Sequence, residues 1–206
     1  MNCLICSNTF IESASWQKLF LIKPADVICK KCRSKFEKIL KTKSENEWSG
    51  TVYEGALDSV KSFYKYNDWM KHVFQQYKFQ LDVELAKIFA EDFRPLRNVQ
   101  ELVVPIPLHP EMLRERTFSQ VDQFLNVANV PFTHVLSKTE NRSQVGKTKK
   151  DRMSTELIFS VQENVQNQHI ILVDDLYTTG TTLHHAAFAL KEAGAQTVRA
   201  ITLIRV

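Results

Sequence analysis

Apolar positions along the chain follow two periods. Ile170 to Val173 is an unbroken apolar run rich in β-branched residues. Such a short run reads as a strand buried on both faces of a parallel sheet. Leu102-Val-Val-Pro-Ile-Pro107 is a second apolar run, and Pro105 should end regular pairing there because it has no N–H to donate. Gln196 to Val206 alternates and predicts one or two final strands. Elsewhere the period is helical. Trp69, Val73, Phe74 and Tyr77 share one stripe, and Val83, Leu85, Ile88, Phe89 and Phe93 share another. Both stripes should face a core. Thr182 to Ala193 predicts a helix closed by Gly194 at C′. Arg33 to Lys43 reads as a basic helix with Phe36, Ile39 and Leu40 on one face. Trp48 to Tyr53 reads as a strand closed by Gly55, and the polar stretch 42–47 as a linker. The pattern predicts an α/β chain, a parallel sheet flanked by helices, with a small module at residues 1–44 and a larger domain at 48–206.

The run at Ile170 continues as Asp174-Asp175-Leu-Tyr-Thr-Thr-Gly-Thr-Thr182. Ligands of open α/β sheets sit beyond the carboxyl ends of the strands, where the two acids fall. Backbone N–H groups of the loop and of the helix start suit a phosphate. Thr178, Thr179, Thr181 and Thr182 add hydroxyls, and Gly180 lets the backbone come close. The acids repel a phosphate, so they fit sugar hydroxyls or the waters of a bound Mg²⁺. A phosphate beside a diol suggests a ribose 5-phosphate. Arg114 and Arg116 fall just past the Leu102 run, in the same crevice zone, and paired arginines suit a pyrophosphate or the phosphates of a polynucleotide.

Charge and cysteines change the picture at the N-terminus. The chain has 206 residues and a net charge of +4, but residues 1–43 alone carry nine Lys/Arg and three acids. Clustered positive charge is the footprint of a nucleic-acid contact, or else a solvated basic surface. Lys30, Lys31, Arg33 and Lys35 are the candidates there; Lys147, Lys149, Lys150 and Arg152 are a second set, in a polar stretch without periodicity. Trp16, Phe20 and Phe36 could stack on bases, though at least two of them are expected to build the module's small core. All four cysteines form two Cys-x-x-Cys pairs, Cys3/Cys6 and Cys29/Cys32, separated by 22 residues. Two such turns complete a tetrahedral, closed and therefore structural zinc site. A reducing compartment disfavours the rival reading of two disulfides. No apolar run reaches the length of a membrane span. The first residues lack the pattern of a signal peptide, so a cytoplasmic location is expected. His184 and His185 read as ordinary helix residues.

The thirteen-residue run from Ile170 resembles the motif by which type I phosphoribosyltransferases bind phosphoribosyl pyrophosphate (PRPP). The resemblance implies that fold, with Asp174 and Asp175 on the ribose hydroxyls, the Thr178–Thr182 loop on the 5-phosphate, and Mg²⁺ accompanying PRPP. Adding the four cysteines, Val104-Pro-Ile-Pro-Leu-His-Pro110 and Leu113-Arg-Glu-Arg-Thr-Phe-Ser-Gln120, the chain resembles the competence protein F family (ComF/ComFC) from Cys3 to Val206. That resemblance implies a role in DNA uptake on the cytoplasmic side, with single-stranded DNA and a DNA-translocating helicase as partners. The stretch 141–152 resembles the loop that covers the site in phosphoribosyltransferases. Beside Arg116 the chain departs from the family pattern, with Thr117 in place of a glycine and Ser119 of an asparagine, and two positions differ again within Gln144–Lys147 and Arg152–Ser154. Two functions are therefore carried forward. One is a DNA-uptake protein with a retained PRPP site. The other is an active Mg²⁺-dependent phosphoribosyltransferase of unknown acceptor, with Asp174, Asp175 and Arg116 as its catalytic residues.

Overall fold

The computed structural model describes residues 1–11, 16, 20, 25–40, 48–79, 83–109, 112–114, 118–138 and 159–206. In chain order the described elements are α1 (Lys30–Arg33), β1 (Ser59–Lys65), α2 (Asp68–Phe79), a 3₁₀ stretch (Val83–Phe89), α3 (Ala90–Phe93), a second, shorter 3₁₀ turn (Arg94–Asn98), β2 (Leu102–Pro105), α4 (Gln120–Val127), β3 (Leu136–Lys138), β4 (Phe159–Val161), β5 (His169–Tyr177), α5 (Thr181–Glu192) and β6 (Thr197–Arg205). The central sheet has the order β1-β6-β5-β2, all parallel. β3 and β4 form a separate antiparallel pair.

Both faces of the sheet are covered, which is why β5 has no polar alternation in its first half. Ile171 and Val173, with Val103, Ile201 and Leu203, face a layer made by α2, the 3₁₀ stretch, α3 and α4. Ile170 and Leu172, with Val104, Val198 and Ala200, face α5 and the β3–β4 pair. Ile170 to Val173 are completely buried, each contributing about 1.5–3 kcal/mol. In the first layer Tyr77, Phe93 and Phe124 stack, with centroids 5.1 Å and 5.4 Å apart. The Tyr77 hydroxyl donates to the Gln120 carbonyl at 2.9 Å, so the ring is buried without an orphaned donor. Asn67 caps α2, its Oδ1 accepting the Met70 N–H at 2.8 Å.

Two elements differ from expectation. The basic helix expected over Arg33–Lys43 is not formed over residues 34–40: the four-residue α1 ends at Arg33, a turn follows, and Lys38 makes a β-bridge, while residues 41–43 lie outside the described residues. Phe36 points instead into the core beside β1 and α2, 5.7 Å from both Tyr64 and Phe89 and 6.3 Å from Trp69. The Ile39 N–H donates to the Phe63 carbonyl and the Lys65 N–H to the Glu37 carbonyl, both at 2.9 Å. Lys38 thus pairs antiparallel with Tyr64 on the outer edge of β1, and its Nζ reaches Asp92 at 2.9 Å. A longer helix would forgo these bonds for a stripe ending in Leu40, which is 93% exposed. Trp48 to Tyr53 forms turns, not a strand, and β1 starts only at Ser59. Trp48 stacks on His184 at 4.2 Å and Tyr53 on His185 at 4.4 Å, so ring stacking against α5 replaces strand pairing. The expected division between residues 44 and 48, with the linker 42–47, lies outside the described residues.

Candidate functional site

The crevice opens where β2 stops. Pro105 is its last residue, and the Ile106 N–H makes the final bond on that side, to the Val173 carbonyl at 2.9 Å. β5 runs on, paired only with β6, through Asp174, opposite Thr202, to Tyr177, opposite Arg205. The acids therefore belong to the strand itself, on the part whose β2 flank is open. The Asp175 N–H donates to Asp174 Oδ1 at 2.8 Å. Lys78, at the end of α2, pairs with Asp175 Oδ2 at 2.7 Å. Burial, then the charge of Asp175, push the Asp174 carboxyl up to about 7, against the Asp175 N–H and the charges of Lys138 and Lys78.

Beyond Tyr177 the loop turns on Gly180, which caps α5 at φ 76°. The Tyr177 phenol occupies the place where a side chain on residue 180 would start, so glycine is required by both backbone and space. The Gly180 carbonyl accepts the first α5 bond, from the His184 N–H at 2.9 Å. No side chain caps this helix. Its first N–H groups therefore face outward beside the exposed Thr178, Thr179, Thr181 and Thr182, with the Thr179 and Thr181 hydroxyls 2.9 Å apart. Free N–H groups, hydroxyls and a positive helix end form a cradle suited to one phosphate.

The other expected residues are distributed unevenly. Arg114 is exposed in the short helical segment 112–114 beyond β2, while Arg116 lies outside the described residues. Ser119 caps α4, accepting the Asp122 N–H. Lys147, Lys149, Lys150 and Arg152, with the stretch 141–152, also lie outside the described residues. Lys30 and Lys31 are exposed on α1. Arg33 is 3.6 Å from Asp26, and the Lys35 ammonium lies 3.9 Å from the Trp69 ring centre, against the larger domain. Trp16 and Phe20 stack on each other and stay 75% and 67% exposed, so they build no core. Sequence reasoning missed Lys78. It follows Tyr77 at a helix end, where a lysine is unremarkable, and only the tertiary fold brings it to Asp175.

The four cysteines converge. Their Sγ atoms all lie within 4.8 Å of one another, and Cys6 and Cys29 are 4.0 Å apart with no disulfide. A tetrahedral zinc with bonds of about 2.3 Å needs sulfurs about 3.8 Å apart, so the cluster fits the ion with small adjustment. Burial would raise the Cys3 thiol, but the N–H groups of Cys29, Cys6 and Ile5 hold it down at about 6. Cys32 is pushed far up, by burial and then by its neighbouring thiols. Ionising Cys32 beside Cys3 is costly, and a divalent metal would offset that cost.

A parallel sheet covered on both faces, with acids on the last residues of β5 and a glycine-turned helix start just beyond it, is a phosphoribosyltransferase fold. The phosphoribosyl transferase domain family matches residues 83–206. Competence protein ComFC of Bacillus subtilis (strain 168) is 35% identical over 226 aligned positions, covering 98% of this chain and 94% of that one. Competence protein ComFC of Streptococcus pneumoniae (strain ATCC BAA-255 / R6) is 32% identical, with both chains covered fully. A phosphoribosyltransferase structure from Corynebacterium diphtheriae has 16% identity and a TM-score of 0.37, over 64% of this chain and 85% of that one. The chain belongs to the competence protein F (ComF/ComFC) family. Among the described residues, no helix is long and apolar enough to cross a membrane.

Proposed function

We propose that this protein serves DNA uptake in natural transformation, from the cytoplasmic side, by binding single-stranded DNA while holding PRPP in the β5–α5 crevice. One observation carries the reading. The acid pair and the uncapped α5 start stand side by side, in a chain that matches ComFC relatives from end to end. In this reading Asp174 and Asp175 accept the ribose hydroxyls, and the N–H groups and hydroxyls of residues 178–182 take the 5-phosphate. Arg114 and Arg116 take the pyrophosphate, whose charge Mg²⁺ shares. Cys3, Cys6, Cys29 and Cys32 hold a structural zinc. Lys30, Lys31, Arg33 and Lys35 contact DNA phosphates, with Lys147, Lys149, Lys150 and Arg152 extending that track. A DNA-translocating helicase hands the strand over.

The test is fluorescence anisotropy of a labelled single-stranded oligonucleotide with zinc-loaded protein, across a salt series, with and without Mg²⁺–PRPP. Affinity should fall steeply with salt. Reversing Lys30 and Lys31 to Glu should weaken binding to all sequences alike and flatten the log–log salt slope by about one per lost contact. Lys35 is the poorer choice for this test, because its reversal also breaks the contact with Trp69. No binding at low salt overturns the DNA half of the reading. No calorimetric heat with Mg²⁺–PRPP overturns the other half.

A further inference from the structure

Two adjacent carboxylates at a strand end ordinarily attract a divalent cation or share a proton. Here each already has one oxygen engaged. Asp174 Oδ1 accepts the Asp175 N–H at 2.8 Å, and Asp175 Oδ2 accepts the Lys78 ammonium at 2.7 Å. The Lys78 and Asp175 side chains are 16% and 14% exposed, so water screens this pair far less than a surface pair. The ammonium also lies 4.3 Å from the Phe74 ring centre, one turn back on α2, which fixes it over the acids. The charged or titratable groups acting on the pair from other elements are Lys138 on β3, directed at Asp174, and Tyr77 on α2, which senses Asp175 and Asp122.

We infer that Lys78 makes the acid pair a receptor for a neutral vicinal diol: it neutralises Asp175, bars a divalent cation from the carboxylates, and leaves one oxygen of each acid for one hydroxyl. The inference rests on the reading of Asp174 and Asp175 as the ribose-binding residues. The geometry supplies the selectivity. The oxygens left over among the described contacts are Asp174 Oδ2 and Asp175 Oδ1, two acceptors on neighbouring residues. A cis-diol brings two donors and no charge. A cation bound directly to the same oxygens at about 2.0–2.6 Å would stand close to the ammonium and be repelled. With the phosphate cradle beyond Tyr177, the ligand class is a ribose 5-phosphate unit. A 2-deoxyribose 5-phosphate is disfavoured because it leaves one carboxylate oxygen without a donor.

The experiment is calorimetry at about pH 8.5, above the raised Asp174 carboxyl so that both acids are acceptors, on the zinc-loaded full chain with ribose 5-phosphate and 2-deoxyribose 5-phosphate, plus Mn²⁺ alone followed by electron paramagnetic resonance. The unaltered protein should prefer ribose 5-phosphate by about tenfold, the worth of one charge-assisted hydrogen bond, and should not bind Mn²⁺ at the crevice. Lys78→Met and Lys78→Gln should bind ribose 5-phosphate about tenfold more weakly and gain one Mn²⁺, lost again when Asp175→Asn is added. Lys78→Arg should keep both original properties. A gained metal site is not something a merely damaged fold would show, and the Gln and Arg variants serve if the Met variant does not fold. Variants that bind ribose 5-phosphate as the unaltered protein does, or that gain no Mn²⁺, overturn the role of Lys78 alone. Failure of the unaltered protein to bind ribose 5-phosphate overturns the reading of the crevice and this inference with it.

Discussion

The crevice and the cysteine cluster are built by opposite means. The crevice stands on strands buried on both faces, and its shape follows from where β2 stops and β5 continues. Asp174, Asp175, Lys78 and Gly180 are held by that frame. The cysteine cluster is carried by loops and one four-residue helix, and Cys3, Ile5, Ile28 and Cys32 are its buried contribution to the core that also holds Phe89 and Phe93. Cys3 and Cys32 are buried, and burial together with the neighbouring thiols opposes ionisation of Cys32. The first region owes its order to packing, and the second, which joins the same core through Cys3, Ile5, Ile28 and Cys32, would gain further order from a metal on its four sulfurs. The two should fail under different stresses.

The largest effect should come from the metal. Structural zinc contributes on the order of 10–16 kcal/mol in isolated finger peptides, somewhat less where a module leans on a larger core as this one does. Stripping it with a chelator should abolish hydrogen-exchange protection at residues 1–11 and 25–35 while β5 and β6 keep theirs, measured by mass spectrometry. Parallel loss in both regions would erase the distinction. Next comes the pH response of the crevice. Asp174 is raised from 3.8 to about 7, so the native state keeps a proton that the unfolded chain releases. Stability of the ligand-free protein should therefore fall as pH rises from about 4 to about 7, by at most roughly 4 kcal/mol, and level off above. Asp174→Asn should remove that slope, with a Tm gain over the unaltered protein that is small near pH 4 and largest near pH 8. A gain that is constant across this range would mean that burial does not control the carboxyl. The smallest effect is Gly180→Ala. It forces a side chain into φ 76° and onto the Tyr177 phenol, at a cost of about 1–3 kcal/mol. The Tm should drop by about 2–4 °C per kcal/mol. Adding Tyr177→Phe should recover part of the loss by removing the phenolic oxygen, and a Tm unchanged by Gly180→Ala would mean the turn is less constrained than its geometry states.

What the sequence made legible follows the same division. Ile170 to Val173 and the acids after them were readable because an unbroken apolar run bounded by charge has few other uses. Gly194 marked the end of α5, at φ 95°. The cysteine spacing pointed to one cluster because the chemistry is local within each pair. The misses are places where distant contacts overrode local pattern. Phe36, Ile39 and Leu40 have helical spacing, yet Phe36 gains more among Tyr64, Trp69 and Phe89 than along a solvated helix. Trp48 and Tyr53 have strand-like composition, but the rings of His184 and His185 claim them. Trp16 and Phe20 look like core residues and stay outside. Lys78 had no local signal, since its partner is about a hundred positions away in the chain.

β1 lies at an outer edge of the parallel sheet, and the strip at residues 37–39 takes up the Phe63 carbonyl and the Lys65 amide that would otherwise point to solvent. A bare edge of this kind is a template for another chain. The strip lays a short antiparallel cover over that flank and is pinned by Lys38 on Asp92. Removing residues 36–39 would bare those two edge groups and at the same time open the ring cluster that Phe36 closes with Tyr64, Trp69 and Phe89, so the adhesive side and the loosened core would arrive together.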